Sequence, residues 1–247
     1  MTRLLLCACL LSLAPPSLAE AGGINLSWND CGLAGVRNQN FLCNTNAGVP
    51  FVLFASFDPN ADMADCVSNK WLIDLQSAGA TLPPWWSLRG SDDPTGRCRD
   101  ASLVLNTNFA AGPFACADPW GGAILEQGSS YTIGFSGANT ARITGAQSLN
   151  VLAPTAVSAG TEYYSFALII NRTKTVGTDS CAGCSEPVCF VLQEIAVIGL
   201  SSIQRLTNPR DRNFVIWQRE DFALRCCPPD CVPTLNRTWG QVKSIYR

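Results

Sequence analysis

Two adjacent tryptophans are the residues of this chain that most suggest ligand binding. Trp85 and Trp86 follow two prolines, and Trp120 stands between a proline and two glycines at a predicted turn. Neighbouring side chains of an extended segment face opposite sides, so one indole of the pair would enter the core while the other faced solvent. An exposed indole can stack against a sugar ring. The pattern makes Trp85, Trp86 and Trp120 candidates for a carbohydrate-binding site, and it is equally the pattern of three tryptophans buried in the core, where tryptophan is usually found.

Oxygen-bearing side chains recur at short intervals in the segment that contains Asp58, Asn60, Asp62 and Asp65. Carboxylate and amide oxygens at such spacing can surround a hard cation, so the segment is a candidate calcium site. Met63 stands where calcium loops usually need glycine for a sharp turn. The alternative is a solvated acidic loop without a metal, and no other cofactor is expected.

Enzymatic chemistry in this chain would have to come from carboxylates. The sequence contains no histidine, which excludes Ser-His-Asp and Cys-His catalysis and zinc sites built on imidazole. A glycosidase needs two carboxylates that line one cleft. Asp74 and Glu194 stand within apolar strands, but no spacing motif singles out a pair, and the solvent face of a sheet is the expected place for both. A non-enzymatic role is therefore preferred, and a carboxylate-dependent secreted hydrolase is an alternative.

The first 21 residues have the three regions of a secretory signal peptide. Arg3 supplies positive charge, residues 4–13 are almost wholly apolar, and Ala19-Glu20-Ala21 has the small-x-small form of a cleavage site. No later run approaches the ~18 apolar residues that a membrane-spanning helix needs. We expect cleavage after Ala21, with Ala19 as the second choice, and a mature chain that is extracellular or at the cell surface, with no transmembrane segment.

The cysteines support the same compartment. Removal of Cys7 and Cys9 from the 13 cysteines leaves 11 in an oxidising environment, where disulfides form. Sequence alone does not fix the connectivity. The short spacings nevertheless suggest local pairs and clusters: Cys31 with Cys43, Cys98 with Cys116, and groups at 181–189 and 226–231. Because the number is odd, one thiol is left over, and Cys66 is expected to be that thiol since it is far from the others in sequence.

Composition excludes several classes of protein. Charged residues make up 15% and hydrophobic residues 47% of the 247 residues, which is too apolar for an intrinsically disordered chain. The formal net charge of −2 does not provide the basic surface that phosphate binding needs, so no nucleic-acid partner is expected. The partners that remain are an extracellular glycan or another cell-surface component.

Apolar residues alternate with polar ones through most of the chain, which predicts strands rather than helices. Turn-forming segments at 44–48, 91–96 and 136–139 separate them. The pattern predicts an all-β domain, an antiparallel β-sandwich or jelly roll stapled by disulfides. The strand candidates are 24–28, 51–57, 71–76, 103–105, 131–135, 164–170 and 188–198, the last being the longest.

These features divide the chain into a signal peptide at 1–21, a β-sandwich domain at 22–200 and a basic, Cys/Pro-rich tail at 201–247. Within the sandwich, the strands at 162–171 and from 188 onward are predicted to form one long hairpin. The tail contains Thr238-Trp239-Gly240-Gln241, which has the form of a capping box and predicts a short terminal helix. That helix could be an attachment or sorting signal, or it could dock on its own domain.

Three segments carry a resemblance to other sequences: INLSWNDC at 24–31, TVGTDSCAGC at 175–184 and TWGQVK at 238–243. Together they resemble a set of secreted, cysteine-rich proteins of environmental bacteria, over most of residues 24–200 and the terminal tail. The resemblance implies an exported bacterial protein. It implies no activity, ligand or catalytic residue, because none is known for that set.

The function expected from the sequence is therefore a secreted, non-enzymatic surface or binding module. A carbohydrate-binding module that uses exposed tryptophans is the first alternative. The carboxylate-dependent hydrolase is the second.

Overall fold

The structure is a computed structural model, and it describes residues 22–88, 97–110 and 112–218. The described chain is all-β, as the alternation of apolar residues predicts. Its helical turns within these ranges are two short 3-10 segments, Gly32–Ala34 and Pro84–Trp86. No helix in the described residues is long and apolar enough to cross a membrane. The strands form two sheets whose apolar side chains pack into one core, as in a β-sandwich.

The described strands are numbered in chain order. They are β1 (Gly23–Trp28), β2 (Asn38–Gln39), β3 (Phe51–Asp58), β4 (Met63–Ser77), β5 (Leu103–Asn106), β6 (Glu126–Ile133), β7 (Thr140–Ser148), β8 (Thr155–Val157), β9 (Tyr163–Ile170), β10 (Val188–Gly199), β11 (Ile203–Leu206) and β12 (Phe214–Trp217).

The smaller sheet has four antiparallel strands in the order β1-β3-β9-β5. The larger sheet has eight strands, with β2-β12-β10-β4-β7-β6 as its main path, β11 paired with β10 and β8 paired with β4. The contact of β12 with β2 is parallel, and the others are antiparallel. Every strand candidate from the sequence corresponds to a strand, but β4 with 15 residues is longer than β10 with 12.

The predicted long hairpin between 162–171 and the strand from 188 is wrong. The first segment is β9 of the smaller sheet and the second is β10 of the larger sheet, so the loop between them crosses from one sheet to the other. Two strands that follow each other in the sequence can pair in one sheet or face each other across the core. The alternation of apolar residues is the same in both cases, so it does not distinguish them. The turn predicted at 136–139 does lie in a hairpin, which joins β6 to β7.

The sandwich also extends beyond residue 200, where the sequence placed its end. Strands β11 and β12 both pair with β10, and Val215, Ile216 and Trp217 are fully buried. The segment before β12 bonds to β1, with the Ile24 amide donating to the carbonyl of Asn208 at 2.9 Å. The sandwich therefore continues to residue 218. The predicted signal peptide and the remainder of the predicted tail, 219–247, lie outside the described residues.

Two arginines of this basic segment, Arg210 and Arg212, bind groups in other parts of the sandwich. Arg210 lies 3.4 Å from the carboxylate of Asp58 and 3.7 Å from that of Glu162. Arg212 donates to the carbonyls of Gly32 and Gly35 at 2.7 and 2.9 Å, and burial lowers its pKa. Charge runs in sequence suggest a solvated tail, but here the charges tie the 208–213 segment to the start of the sandwich.

An aromatic cluster fills one end of the core between the two sheets. Trp217 of β12 is at its centre, with ring centroids 4.3 to 5.9 Å from the rings around it. Aromatic pairs in this range prefer edge-to-face and tilted geometry, which most of these contacts show. The rings around Trp217 are Trp28, Phe41, Phe51, Trp85 and Trp86.

A second contact joins the middle of the two sheets. The indole of Trp71 on β4 stacks on Phe166 of β9, with centroids 3.8 Å apart. On its other side the indole covers the backbone of β7 at Gly145, where an added Cβ would lie 2.1 Å from the ring. The indole nitrogen donates to Gln147 at 3.1 Å. Glycine at position 145 is therefore required by the close approach of the ring.

Three disulfides join described residues, and none matches the pairs suggested by short spacing. They are Cys31–Cys116, Cys43–Cys184 and Cys98–Cys181, with sequence separations of 85, 141 and 83 residues. The local pairs were wrong because the sandwich brings distant loops together, which spacing along the chain does not reveal. The expectation that Cys66 is unpaired is confirmed, and this thiol is fully buried.

Candidate functional site

The predicted exposure of an indole in the Trp85–Trp86 pair is wrong. Both residues are 0% exposed. The prediction assumed an extended segment, but Pro84–Trp86 is a turn of 3-10 helix, so the two side chains do not point to opposite sides. Both rings belong to the aromatic cluster, and their centroids are 4.7 Å apart. The alternative stated for these residues, burial in the core, is what the structure shows.

The face of the Trp85 indole is covered by the guanidinium of Arg99. The guanidinium carbon lies 3.6 Å from the ring centroid, and the side chain donates to the carbonyls of Trp85, Asn171 and Thr173. Burial lowers the pKa of Arg99. A sugar ring cannot reach an indole face that a buried cation already occupies.

Trp120 lies on a bend, as its glycines predict, but it too is buried. Its backbone amide donates to the Asp118 carboxylate at 2.8 Å, and its indole nitrogen donates to the carbonyl of Ser165 at 3.1 Å. Gly121 and Gly122 follow with positive φ. The indole is 2% exposed and belongs to the core rather than to a surface platform.

The aspartates of the candidate calcium segment accept hydrogen bonds from two turns, one at 159–160 that bonds to both Asp58 and Asp62 and one at Ser201 that bonds to Asp65. Asp58 accepts from the amide of Gly160 at 2.8 Å, and Asp62 accepts from the amide of Ala159 at 2.9 Å. Asp65 accepts from both the amide and the hydroxyl of Ser201. Within residues 22–88, 97–110 and 112–218, no three His, Cys, Asp or Glu side chains are grouped so that they could hold a metal ion. The carboxylates fasten neighbouring turns to the β3–β4 connection instead of converging on one point.

A groove of about 660 Å³ lies on the face of the larger sheet that points away from the core. Side chains alternate along β4, with Trp71, Ile73 and Leu75 in the core. The intervening side chains face the groove: Lys70, Leu72, Asp74 and Gln76. Strands β7, β10 and β11 add further walls, so the groove crosses four paired strands.

One wall of the groove is a stacked ion pair. Arg142 of β7 donates to both carboxylate oxygens of Asp74 on β4, at 2.7 and 2.9 Å. The guanidinium also lies 4.1 Å from the ring centroid of Phe135, in the β6–β7 turn. The hydrogen bond to Asp74 raises the pKa of Arg142. Bidentate pairing and ring stacking together hold the three side chains in one arrangement.

The opposite wall contains a second ion pair. Arg205 of β11 donates to Glu194 of β10 at 2.5 Å, and this pair is more exposed than the first. Gln193, beside Glu194, also lines the groove and lies at an irregularity in the β10–β4 register. Lys70 lies on the floor and forms no ion pair with the described residues.

Sequence reasoning found part of this site and missed the rest. It placed Asp74 and Glu194 on the solvent face of a sheet, where the structure has them, but did not bring them into one groove. They are diagonal neighbours on paired strands, because Glu194 is opposite Leu72, two residues from Asp74. Phe135, Arg142 and Arg205 were missed, since their roles depend on which strands are adjacent. The signal for the part that was found was the alternation of apolar and polar residues along β4 and β10, which placed Asp74 and Glu194 on an outer face.

Comparisons with protein-family models, curated proteins and solved structures gave no match to this chain. The groove therefore has to be interpreted from its own chemistry.

Proposed function

We propose that this protein is an exported, non-enzymatic binding module whose binding face is the groove on the outer face of the larger sheet. The observation that carries the proposal is the combination of volume and lining: about 660 Å³ with fixed polar groups beside apolar side chains. Sites for small or elongated ligands have this make-up. The aromatic residues that the sequence suggested for binding serve the core, so the proposal rests on other residues.

Export is supported by the disulfides and by the N-terminal sequence. Three bridges among the described residues are typical of chains that mature in an oxidising compartment. Residues 1–21 have the form of a signal peptide. Mass spectrometry of the protein recovered from the culture medium should show a chain that begins at Gly22. Full-length protein confined to the cytosol would contradict export.

Binding by the groove can be tested by NMR shift mapping with three classes of probe: neutral oligosaccharides, unstructured peptides and a sulfated polysaccharide. We expect saturable shifts at amides of β4, β7 and β10 for at least one class. Exchange of Lys70 and Gln193 for alanine should weaken that binding. Thr144→Ala is the matched control, because Thr144 is exposed on the same sheet without lining the groove. No saturable binding of any class, or equal binding by the double variant, would refute the proposal.

A hydrolase is the second candidate, because both acidic residues singled out by the sequence line this groove. Diagonal neighbours on paired strands lie about 7 to 8 Å apart, so the carboxylates of Asp74 and Glu194 can reach one substrate, as a glycosidase requires. Each carboxylate, however, accepts hydrogen bonds from an arginine, so neither is free to give a proton to a glycosidic oxygen as hydrolysis requires. Binding without turnover is therefore preferred.

The hydrolase candidate has a direct test. The protein is incubated with the neutral oligosaccharides of the binding experiment, and new reducing ends are measured over time. We expect none above the level of the Asp74→Asn and Glu194→Gln variants. Release that both substitutions abolish would replace the binding module with an enzyme.

A further inference from the structure

The chemistry of the groove limits its ligand. Three cationic and two anionic side chains line it, and four of these five are joined in the pairs Arg142–Asp74 and Arg205–Glu194. Lys70 is the one cation left outside these pairs. A groove for a polyanion would present several unpaired cations, and a groove for a polycation would present unpaired carboxylates. The charge balance therefore favours a ligand without strong charge.

The ion pairs still have unused hydrogen-bonding capacity. A carboxylate has about four acceptor positions and a guanidinium five N–H donors. The two hydrogen bonds between Arg142 and Asp74 use two N–H donors and two acceptor positions. The donors and acceptors that remain lie side by side at a fixed position. The amide of Gln193 also carries both kinds of group. Adjacent donors and acceptors match a hydroxyl group, which donates and accepts at the same time.

The position of the groove excludes one common way of binding a peptide. It lies on the face of four paired strands, where the ladders already occupy the backbone amides and carbonyls. An extended peptide gains affinity by adding a strand to a free sheet edge, which this face does not provide. Recognition in the groove depends on side chains alone. Leu72, between the two ion pairs, offers an apolar floor for a ring face.

We infer that the groove binds a neutral oligosaccharide that lies along β4, with its hydroxyl groups on the two ion pairs and Gln193 and one ring face on Leu72. This inference rests on the proposed function and names its ligand class. The row from Lys70 to Gln76 covers seven residues, and its six steps span about 20 Å at 3.4 Å per residue, which is longer than a single sugar. The ligand is therefore an oligomer.

The test is a calorimetric titration of the full mature chain with gluco-, xylo- and chito-oligosaccharides, an unstructured peptide and heparin. We expect at least one neutral series to bind, with affinity that rises with chain length. Raising NaCl from about 0.05 to about 0.5 M should leave that affinity unchanged, because no net charge is neutralised. Gln193→Ala should weaken binding about 2- to 10-fold, and the double variant Asp74→Ala/Arg142→Ala more than that. Thr144→Ala should bind as the parent does.

The possible results separate this inference from the proposed function. Groove binding of the peptide or heparin, with no binding of neutral oligosaccharides, overturns the ligand class and leaves the binding face intact. Salt-sensitive binding, or binding unchanged in both groove variants, overturns it as well. If none of the probes binds, both proposals fail. Circular dichroism of each variant confirms that lost binding is not lost folding.

Discussion

At the scale of single residues, Arg99 is a charged side chain that is buried in the core. It is 1% exposed, and among the described residues no carboxylate forms an ion pair with it. Three backbone carbonyls and the Trp85 ring take the place of a counter-ion. Burial of a charge is costly, and it is tolerated only where every donor has a partner.

Replacement of Arg99 by methionine or lysine should lower the free energy of unfolding by about 3 kcal/mol, since buried carbonyls would lose their donors. Lysine keeps the charge but cannot reach three carbonyls from one planar group. Urea unfolding followed by tryptophan fluorescence measures the change. Arg205→Lys, at an exposed position, should change stability by less than about 0.5 kcal/mol. A small effect at Arg99 would show that its bonds are dispensable.

Cys66 is a free thiol that is buried in the folded protein. Burial raises its pKa to about 11 from the ordinary value of 9.0. The folded pKa is higher, so the neutral thiol is favoured in the folded state, and any stability gained is lost as the pH rises from about 9 to about 11. Below that window the native thiol carries about a hundredfold less thiolate than the unfolded one.

Alkylation of Cys66 by iodoacetamide near pH 8.5 should therefore be about 100-fold slower in native protein than in urea. Tryptic mapping of the Cys66 peptide by mass spectrometry gives both rates. A free small thiol at the same pH serves as the reference for reagent quality. Equal rates in native and denatured protein would mean that the thiol is accessible.

At the scale of elements, the packing of Trp71 on β7 explains why that strand contains a glycine. Gly145→Ala would place a methyl group against the indole and should lower stability by about 2 kcal/mol through overpacking. The neighbouring Thr144→Ala, on the exposed side of the same strand, should be nearly neutral. Thermal unfolding by far-ultraviolet dichroism compares the two. Equal melting temperatures would show that the ring can move aside at little cost.

The strands themselves could be predicted, because alternation of apolar side chains is a local property. The order β2-β12-β10-β4-β7-β6 could not, because it depends on which strands pair across long separations. Trp85 and Trp86 illustrate the limit: their burial follows from a 3-10 turn and from Arg99 on the ring face, neither of which local spacing indicates. The outward positions of Asp74 and Glu194 in the groove could be predicted from the sequence. The contributions of Phe135, Arg142 and Arg205 could not, because they depend on which strands are adjacent.

At the scale of the whole molecule, the disulfides connect loops that are distant in sequence. The Cys98–Cys181 bridge spans 83 residues. By restricting the unfolded chain, a bridge over such a loop contributes about 4 kcal/mol. Cys98→Ala/Cys181→Ala should lose about that much stability in urea. Peptide mapping without reduction should recover Cys31–Cys116, Cys43–Cys184 and Cys98–Cys181; the short-range pairs in their place would contradict this connectivity.

The extension of the sandwich to residue 218 predicts that a chain ended at residue 200 does not fold. Such a chain lacks β12 and therefore Trp217, which packs against Phe51 of the smaller sheet and against Phe41 and Trp85 of the connecting segments. We expect non-cooperative thermal unfolding and strong binding of a hydrophobic dye. Trp217→Ala in the full chain, a milder change, should lose about 3 to 5 kcal/mol. Cooperative unfolding of the shortened chain would restore residue 200 as the boundary.

The alternation along β4 has a consequence for how this molecule can change. From position 70 to 76, the even-numbered side chains line the groove, whereas Trp71, Ile73 and Leu75 are held in the core. In the proposed binding module, the even-numbered side chains of this strand contact the ligand, and the odd-numbered side chains stabilise the fold. Libraries that vary only the even positions, with their partners on β7 and β10, should yield retargeted binders on an unaltered scaffold.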